Sequence, residues 1–291
     1  VYKRQPPYEV SDTVKKEIET ITAKLALELK VVGLINLQFA VKDDKVYVLE
    51  VNPRSSRTVP FVSKYSNVPL ANIAAQISVG KSLNDFKLKE NNFEHYAVKK
   101  AVLPFKKFKD EKVFLGPEMK STGEVMGIDM STGSAFLKAM KSDGYNVPKQ
   151  GTAFLSVNKT DRAGLVPIAK NLMGLGFNLV ATKGTSRFLN EQGILCDDMF
   201  KVGEGRPNVV DEILNDNIQL VINTPEGPQS RFDEEAIGKT SVMKNILTIT
   251  TLPGARAAID SMKHLNKISV KALQEYSKSV SYTHLTLPTI L

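Results

Sequence analysis

LINLQFAVKDDKVYVLEVNPRSSR, residues 34–57, alternates apolar and polar side chains in two runs that flank a charged turn. A period of two predicts two β-strands, Leu34 to Val41 and Val46 to Asn52. The Lys-Asp-Asp-Lys segment between them is typical of a hairpin connection. In each run the polar residues fall on one face, so the two strands can present several side-chain oxygens on the same side of a sheet.

The register of this hairpin decides whether those polar side chains meet. An odd number of connecting residues places Gln38 opposite Glu50, with Asn52 beside them, whereas an even number places Gln38 and Glu50 on opposite faces. One carboxylate and two amide oxygens suit a hard cation such as Mg²⁺ or Mn²⁺, which shares its other positions with nucleotide phosphates and water. Arg54 and Arg57 follow directly, and their charge would stabilise phosphoryl oxygens. A strand pair with a merely solvated polar face fits the same periodicity.

The sequence on either side of the hairpin predicts helices and one more strand. Apolar residues recur at three- and four-residue steps from Ser11 to Lys30, and a second helix is expected from Pro69 to Val79, ended by Gly80. Residues 96–105 are strand-like, and the Phe-Leu-Gly-Pro run at 114–117 predicts a loop. The first half is therefore expected to combine antiparallel strands with helices.

After Gly144 the pattern changes to a regular alternation of short apolar runs with helical stretches. The apolar runs are 153–157, 177–181, 199–202, 219–223 and 246–251, and the helical stretches are 162–175, 186–191, 208–214, 234–245 and 255–264. Such alternation predicts right-handed crossovers and a parallel sheet with helices on both faces, a Rossmann-like α/β unit. We place the domain boundary within residues 141–150, which gives domains 6–143 and 144–279.

Both ends of the chain resemble translated sequencing adaptors, VYKRQ at 1–5 and VSYTHLTLPTIL at 280–291. We therefore leave residues 1–5 and 280–291 out of the fold prediction. Omitting Lys3 and Arg4 removes two positive charges, which lowers the formal net charge from +8 to +6. On this interpretation the chain is a fragment of a longer protein.

The composition is that of a globular chain without an obvious polyanionic partner. Hydrophobic residues make up 42% and charged residues 24% of the 291 positions, which fits about two folded domains. No apolar run approaches the roughly 18 residues of a membrane span. Lysines and arginines are spread among 31 acidic residues, so neither nucleic acid nor a membrane is expected as a partner. The single cysteine, Cys196, fits a reducing, cytoplasmic location, and we interpret it as a packing residue.

Polar residues at the expected carboxyl ends of the parallel strands predict an anion site in the second domain. Hydroxyl groups, backbone amides near a glycine and positive charge would together form a phosphate cradle. The residues that we assign to this effector site are Ser156, Arg162, Thr182, Lys183, Gly184, Thr185, Lys201, Asn223 and Thr224. A serine or threonine in such a position can equally be an ordinary helix cap.

Three motifs in the first half resemble one enzyme family. LEVNPRSSRTVPF at 49–61 resembles the metal-binding segment of ATP-grasp enzymes, in the version found in the second, carbamate-phosphorylating half of carbamoyl phosphate synthase large subunits. LPF at 103–105 and LGPEMKSTGEVMG at 115–127 are similar to the same family. The resemblance covers nearly all of residues 6–276 and implies a partial ATP-grasp fold followed by a regulatory domain.

The resemblance also implies the chemistry. Gln38, Glu50 and Asn52 would hold Mg²⁺ or Mn²⁺ ions that bridge the ATP phosphates, and Arg54 and Arg57 would hold carbamate or the transferring phosphoryl group. The implied reaction is phosphorylation of carbamate by ATP, which gives carbamoyl phosphate for arginine and pyrimidine biosynthesis. The implied partner is a glutaminase small subunit, which in this family contacts mainly the other half of the large subunit. Because the adenine-binding subdomain would precede residue 6, we expect the fragment alone to be inactive.

The second domain resembles the methylglyoxal-synthase-like regulatory domain of the same family. ATKGT at 181–185, EGRP at 204–207 and INT at 222–224 carry this resemblance, which implies a nucleotide effector such as uridine or inosine monophosphate. Lys183, Pro225 and Pro228 depart from the pattern of many bacterial relatives, so the effector could differ. Lys100 stands where ornithine-activated members carry an acid, which argues against ornithine activation. A true methylglyoxal synthase is disfavoured because no histidine lies between positions 99 and 263.

Two alternatives from other classes stay open on the sequence alone. The chain could act only as an effector-binding module, or it could belong to another ATP-grasp ligase, since EVNPR also resembles biotin carboxylases. The second domain discriminates against a carboxylase, which would not be followed by this α/β unit. The identity of the effector and the formation of a homo-oligomer are left open.

Overall fold

The computed structural model describes residues 2–7, 10–86, 88, 93–106, 119–224 and 230–276. Contacts divide the chain into two compact units. The hairpin unit comprises Arg4–Tyr96 with Val270–Leu291, and the sheet unit comprises Val1–Lys3 with Ala97–Ser269. The predicted loop at 114–117, the adaptor-like segment 280–291, and positions 225 and 228 lie outside the described residues.

The hairpin unit contains the predicted antiparallel strand pair and the predicted helices. Strand β1 (Tyr2–Gln5) is divided between the two units, and the elements of the hairpin unit that follow it are α1 (Asp12–Glu28), β2 (Asn36–Lys42), β3 (Lys45–Asn52), α2 (Thr58–Ser66) and α3 (Leu70–Ser78). Ser11 is the N-cap of α1, because its hydroxyl accepts a hydrogen bond from the backbone N–H of Val14. Gly80 follows α3 at φ +99°, a conformation that favours glycine. Helix α2, which the periodicity did not predict, follows the hairpin almost directly.

His95 lies inside the aromatic core of the hairpin unit. Its side chain is 2% exposed, and its Nε2 atom lies 2.9 Å from the carbonyl oxygen of Tyr65. The rings of Tyr65, Phe93 and Tyr276 surround it at centroid distances of 5.0, 5.4 and 5.8 Å. His95 therefore has a packing role here.

The hairpin itself is poorly covered. Within the described residues, β2 and β3 form a sheet of two strands only. The exposed fractions of Tyr47, Val48 and Leu49 are 50%, 45% and 65%. Large apolar side chains of β3 are thus in contact with solvent.

The sheet unit contains the predicted parallel sheet. Its strands are β6 (Gly151–Val157), β7 (Phe177–Thr182), β8 (Asp197–Met199), β9 (Leu220–Thr224) and β10 (Leu247–Ile249), and its interleaved helices are α5 (Arg162–Gly174), α6 (Lys183–Glu191), α7 (Val209–Leu214), α8 (Ser230–Met243) and α9 (Leu252–Met262). The strand order is β10-β9-β6-β7-β8, and every neighbouring pair is parallel. The mixed α/β fold class predicted from the alternation is therefore confirmed. Central strands β6 and β9 are buried, as expected for strands covered on both faces.

The compact units divide at a different point from the predicted domain boundary. Strand β5 (Gly123–Asp129) and helix α4 (Thr132–Ser142) belong to the sheet unit, together with most of β4 (Tyr96–Val102). The reason is that α4 packs on β5 and on α9. Gly127 permits this packing, because an added Cβ atom would lie only 1.9 Å from the carbonyl oxygen of Ala135.

Lys100 on β4 is held by an internal ion pair. Its ammonium group contacts the carboxylate of Asp143 at the end of α4 and lies 4.6 Å from the ring centroid of Tyr145. The side chains of Lys100 and Asp143 are 8% and 10% exposed. A buried charge needs such a partner, since desolvation without one is costly.

No helix in the described ranges is long and apolar enough to cross a membrane.

Substituting Gly127 with alanine should destabilise the sheet unit. The new methyl group would overlap the backbone of α4, so we expect a loss of about 3 kcal/mol in the free energy of unfolding. Gly123→Ala on the same strand is the matched control, because nothing lies within 4 Å of its added Cβ. Urea unfolding of both variants measures the difference, and equal stabilities would contradict the close packing of α4 on β5.

Cys196 should react slowly with thiol reagents in the folded chain. It is 3% exposed, and burial raises the pKa of its thiol to about 12, with smaller contributions from Asp197 and Asp198. Because the thiolate is the nucleophile, iodoacetamide at pH 8 should modify Cys196 more than about a hundredfold more slowly in the native chain than in urea. Mass spectrometry of timed samples gives both rates, and rapid labelling of the native chain would rule out the packing role.

Candidate functional site

The two strands of the hairpin are joined by a two-residue turn. Asp43 and Asp44 form the turn at φ 50° and 56°, and Lys42 pairs with Lys45. Of the two connections that the sequence left open, the structure therefore has the even-numbered one. An uninterrupted ladder from this even turn would place Gln38 and Glu50 on opposite faces.

A β-bulge restores the pairing that the metal site requires. The register shifts between Gln38 and Phe39: Phe39 pairs with Val48, but Gln38 pairs with Glu50, so Leu49 is the extra residue on β3. Gln38 and Glu50 thus lie directly opposite each other across the strands. Further along, Asn36 pairs with Asn52. The register thus places Gln38, Glu50 and Asn52 on one face of the hairpin, because of the bulge and not because of the length of the turn.

The side chains on this face have the donor atoms that a hard cation requires. The amide Nδ2 of Asn52 donates a hydrogen bond of 2.7 Å to Oε1 of Glu50, which shows that the two side chains are in contact. Gln38 and Glu50 are exposed and open to a ligand. Among the described residues, no three His, Cys, Asp or Glu side chains form a group that could hold a metal ion. A cation here would therefore depend on the amide oxygens of Gln38 and Asn52 in addition to the one carboxylate, and that set fits Mg²⁺ or Mn²⁺.

The two predicted arginines lie on the segment between β3 and α2. The backbone N–H of Arg54 donates to the carbonyl oxygen of Asn52 at 2.8 Å, and its guanidinium Nη1 donates to the carbonyl oxygen of Ser55 at 3.0 Å. Arg57 occupies the position before the first residue of α2. Both arginines are exposed, so their charges are accessible next to the polar face of the hairpin.

In the sheet unit, a cavity of about 140 Å³ opens at the carboxyl ends of β6, β7 and β9. Of the residues predicted for the effector site, Ser156, Thr182, Lys201, Asn223 and Thr224 line it. Their position follows from the topology, because the carboxyl ends of neighbouring parallel strands meet at one edge of the sheet. The apolar lining residues are Phe154, Val157, Val209 and Ile237, all of them buried.

The other predicted effector residues do not line this cavity. Helix α6 begins at Lys183, directly after β7, so Lys183, Gly184 and Thr185 form its first turn and not the predicted connecting loop. Thr185 is 1% exposed, and its hydroxyl accepts a 3.4 Å hydrogen bond from the backbone N–H of Val157. Arg162 lies against Gly184, where a Cβ atom would be 2.7 Å from its Nη2. The glycine therefore makes room for a guanidinium group.

Two polar residues of the cavity were missed by the sequence analysis. Asn158 lies one position beyond the end of the expected strand at 157, and Asp233 lies one position before the expected start of the helix at 234. Burial raises the pKa of the Asp233 carboxyl group, the positive charge of Lys201 opposes this shift, and the negative charge of Glu204 adds to it. The cavity thus has one lysine and one carboxyl group on its walls. Extending each predicted element by one or two residues would have included both missed positions.

Two family models match separate parts of the chain. Residues 3–86 match the model described as carbamoyl-phosphate synthase L chain, ATP binding domain, and residues 164–250 match the model described as MGS-like domain. The first match contains the hairpin with its bulge, and the second contains most of the cavity walls.

Several curated proteins are similar to almost the entire chain. The carbamoyl phosphate synthase large chain of Acidobacterium capsulatum is 50% identical over 92% of this chain, and the aligned part is 25% of that protein. The large chain of Archaeoglobus fulgidus is 47% identical over 93% of this chain, and the aligned part is 26% of that protein. The C-terminal section of the large chain from Aquifex aeolicus is 44% identical over 95% of this chain, which covers 54% of that protein. The chain spans about a quarter of the first two relatives and about half of the third. Over most of its length the chain is therefore similar to carbamoyl phosphate synthase large chains, with a segment that matches the ATP binding domain model followed by one that matches the MGS-like domain model.

Proposed function

We propose that this chain supplies the carboxyl-terminal part of a carbamoyl phosphate synthase that phosphorylates carbamate with ATP and hydrolyses glutamine through a partner subunit. The observation that carries the proposal is the pairing of Gln38 with Glu50 inside the matched ATP binding domain. Carboxylate and amide oxygens converge there, next to two exposed arginines. The curated relatives, which are named carbamoyl phosphate synthase large chains, support the same assignment.

Gln38, Glu50 and Asn52 are the residues that would hold Mg²⁺ or Mn²⁺ in this proposal. The cation would neutralise phosphate charge on ATP and keep the phosphates in position. The chain's own contribution is geometric: the bulge at Leu49 brings the side chains to one face, and the hydrogen bond from Asn52 orients the carboxylate of Glu50. Preorganisation of this kind reduces the cost of ordering the ligands when a cation binds.

Arg54 and Arg57 would bind the anionic groups of the reaction. Each carries a permanent positive charge with several N–H donors, which suits carbamate and phosphoryl oxygens. The bond from Arg54 Nη1 to the Ser55 carbonyl leaves its other guanidinium N–H groups for a ligand. Their role is to orient the reactants and to stabilise negative charge as the phosphoryl group is transferred.

We further propose that the cavity of the sheet unit binds an anionic, nucleotide-type effector. Ser156, Thr182, Asn223 and Thr224 contribute hydroxyl and amide groups to its walls, and Lys201 contributes positive charge. The apolar lining residues would lie next to the base or another apolar group of the ligand. Four further residues would support the effector site from around the first turn of α6, outside the residues that line the cavity. They are Arg162, Lys183, Gly184 and Thr185.

The glutaminase small subunit and a cytoplasmic location belong to the same proposal, since both follow from the assignment to a glutamine-dependent synthase. A biotin carboxylase is disfavoured because an MGS-like domain follows the ATP-binding segment.

Glu50→Gln should weaken the binding of Mn²⁺ to the chain. The substitution keeps the size of the side chain but removes the one carboxylate of the proposed site, so we expect at least about a tenfold loss of affinity. Asp44→Asn in the hairpin turn removes a similar exposed charge and should leave the affinity unchanged. Paramagnetic broadening of the amide resonances by Mn²⁺ measures the affinity of both variants. Equal broadening near Gln38 in wild type and Glu50→Gln would contradict the proposed metal site.

Lys201→Ala should weaken the binding of uridine monophosphate to the chain. Losing one charge-assisted interaction with the phosphate should lower the affinity about tenfold. Lys170→Ala, which removes an exposed lysine from α5, is the control and should bind like the wild type. Isothermal titration calorimetry measures the affinities, and an unchanged value for Lys201→Ala would exclude this lysine from the site.

A further inference from the structure

Asn158, on the cavity wall just after β6, has a side-chain orientation that its neighbours define. The backbone N–H of Asp161 lies 2.9 Å from its Oδ1, and the hydroxyl of Thr160 lies 2.6 Å from the same atom. Because a backbone N–H can only donate, the atom that it meets is the amide oxygen. The other amide atom, Nδ2, is therefore the hydrogen-bond donor.

This donor faces Asp161 and the end of β9. Nδ2 lies 3.0 Å from Oδ2 of Asp161, 3.4 Å from the carbonyl oxygen of Thr224 and 3.5 Å from its Oγ1. The backbone N–H of Asn158 also donates to Oγ1 of Thr224, at 3.4 Å. Two N–H donors of one residue thus converge on the Thr224 hydroxyl, which belongs to a residue only 5% exposed.

A hydroxyl group has two acceptor lone pairs and one proton. When Asn158 supplies both donors to Thr224 Oγ1, the remaining hydrogen bond of that hydroxyl is the one that it donates. Thr224 lines the cavity, so a ligand can receive this bond. A ligand oxyanion can accept it, whereas an ammonium or amide N–H cannot.

The hydroxyl of Thr185, in the first turn of α6, also accepts from a backbone N–H. Thr185 Oγ1 accepts from the backbone N–H of Val157 at 3.4 Å and lies 3.3 Å from Thr182 Oγ1. Thr182 Oγ1 donates to Thr185 Oγ1, so the buried Thr185 hydroxyl accepts from a backbone N–H and from a neighbouring hydroxyl.

We infer that Asn158 is a positioning residue of the effector site, which presents the Thr224 hydroxyl as a donor and so selects a ligand with an acceptor-only oxyanion such as a phosphate group. This inference rests on the proposed effector function of the cavity and deepens it. Asn158 acts through Thr224 and its own hydrogen-bonding groups are satisfied by the protein.

A double-mutant cycle on the complete chain tests the inference. Calorimetry with uridine monophosphate compares wild type, Asn158→Ala, Thr224→Val and the double variant. We expect Thr224→Val to lose about tenfold in affinity and Asn158→Ala to lose about three- to tenfold, with no further loss when Asn158→Ala is added to Thr224→Val. Thr224→Ser keeps the hydroxyl and should retain most of the affinity.

Thr160→Ala is the control on the same loop. It removes a donor to Oδ1 of Asn158 but leaves the contacts with Thr224, so its affinity should match the wild type. Thermal unfolding of each variant reports the fold independently of binding. If Asn158 had only a structural role, Asn158→Ala would lower stability, and its loss of affinity would be the same with and without Thr224→Val.

Several outcomes would overturn the inference. Additive losses in the cycle, or wild-type affinity in Asn158→Ala, would show that Asn158 does not act through Thr224, while the proposed effector function would stand. A wild-type chain that binds neither uridine monophosphate nor inorganic phosphate would overturn both proposals. If phosphate binds and the nucleotide does not, the nucleotide assignment fails, and the same cycle measured with phosphate decides the role of Asn158.

Discussion

The β-bulge at Leu49 is the local feature on which the proposed phosphoryl-transfer site depends. An even, two-residue turn sets the ladder of the hairpin so that Gln38 would oppose Leu49. The extra residue on β3 reverses which of the following side chains lie on each face of the hairpin. Glu50 therefore lies on the same face as Gln38. The chemistry attributed to this segment therefore depends on a backbone irregularity as much as on the identities of the side chains.

Much of the fold could be predicted because buried apolar side chains recur at regular intervals along helices and strands. The strand pair, helix α1 and the α/β alternation after residue 144 all have apolar spacings that identify the element, and the structure contains them with small shifts at the ends. The pairing of Gln38 with Glu50 was foreseen only as one of two registers, and for the wrong reason. Bulges have no period, so the spacing of Leu49 among its neighbours gave no sign of one.

The cavity shows the same division between what can and cannot be predicted. Four lining residues were predicted from their positions at the expected ends of parallel strands, since topology alone brings such residues together: Ser156, Thr182, Asn223 and Thr224. Asn158 and Asp233 were missed because they lie where an element begins or ends, and such boundaries depend on individual hydrogen bonds. Thr185 was placed among the ligand contacts, but its burial gives it a role behind Thr182. A sequence pattern can identify the residues of a site without ordering them by distance from the ligand.

The uncovered hairpin has a practical consequence for work with the isolated chain. Tyr47, Val48 and Leu49 expose apolar surface beside strand edges that have no further partner among the described strands. Edges of this kind can template pairing between copies, which leads to aggregation. Concentrated stocks should therefore tend to self-associate through β3, and low protein concentration with a polar co-solvent is the sensible starting condition for purification.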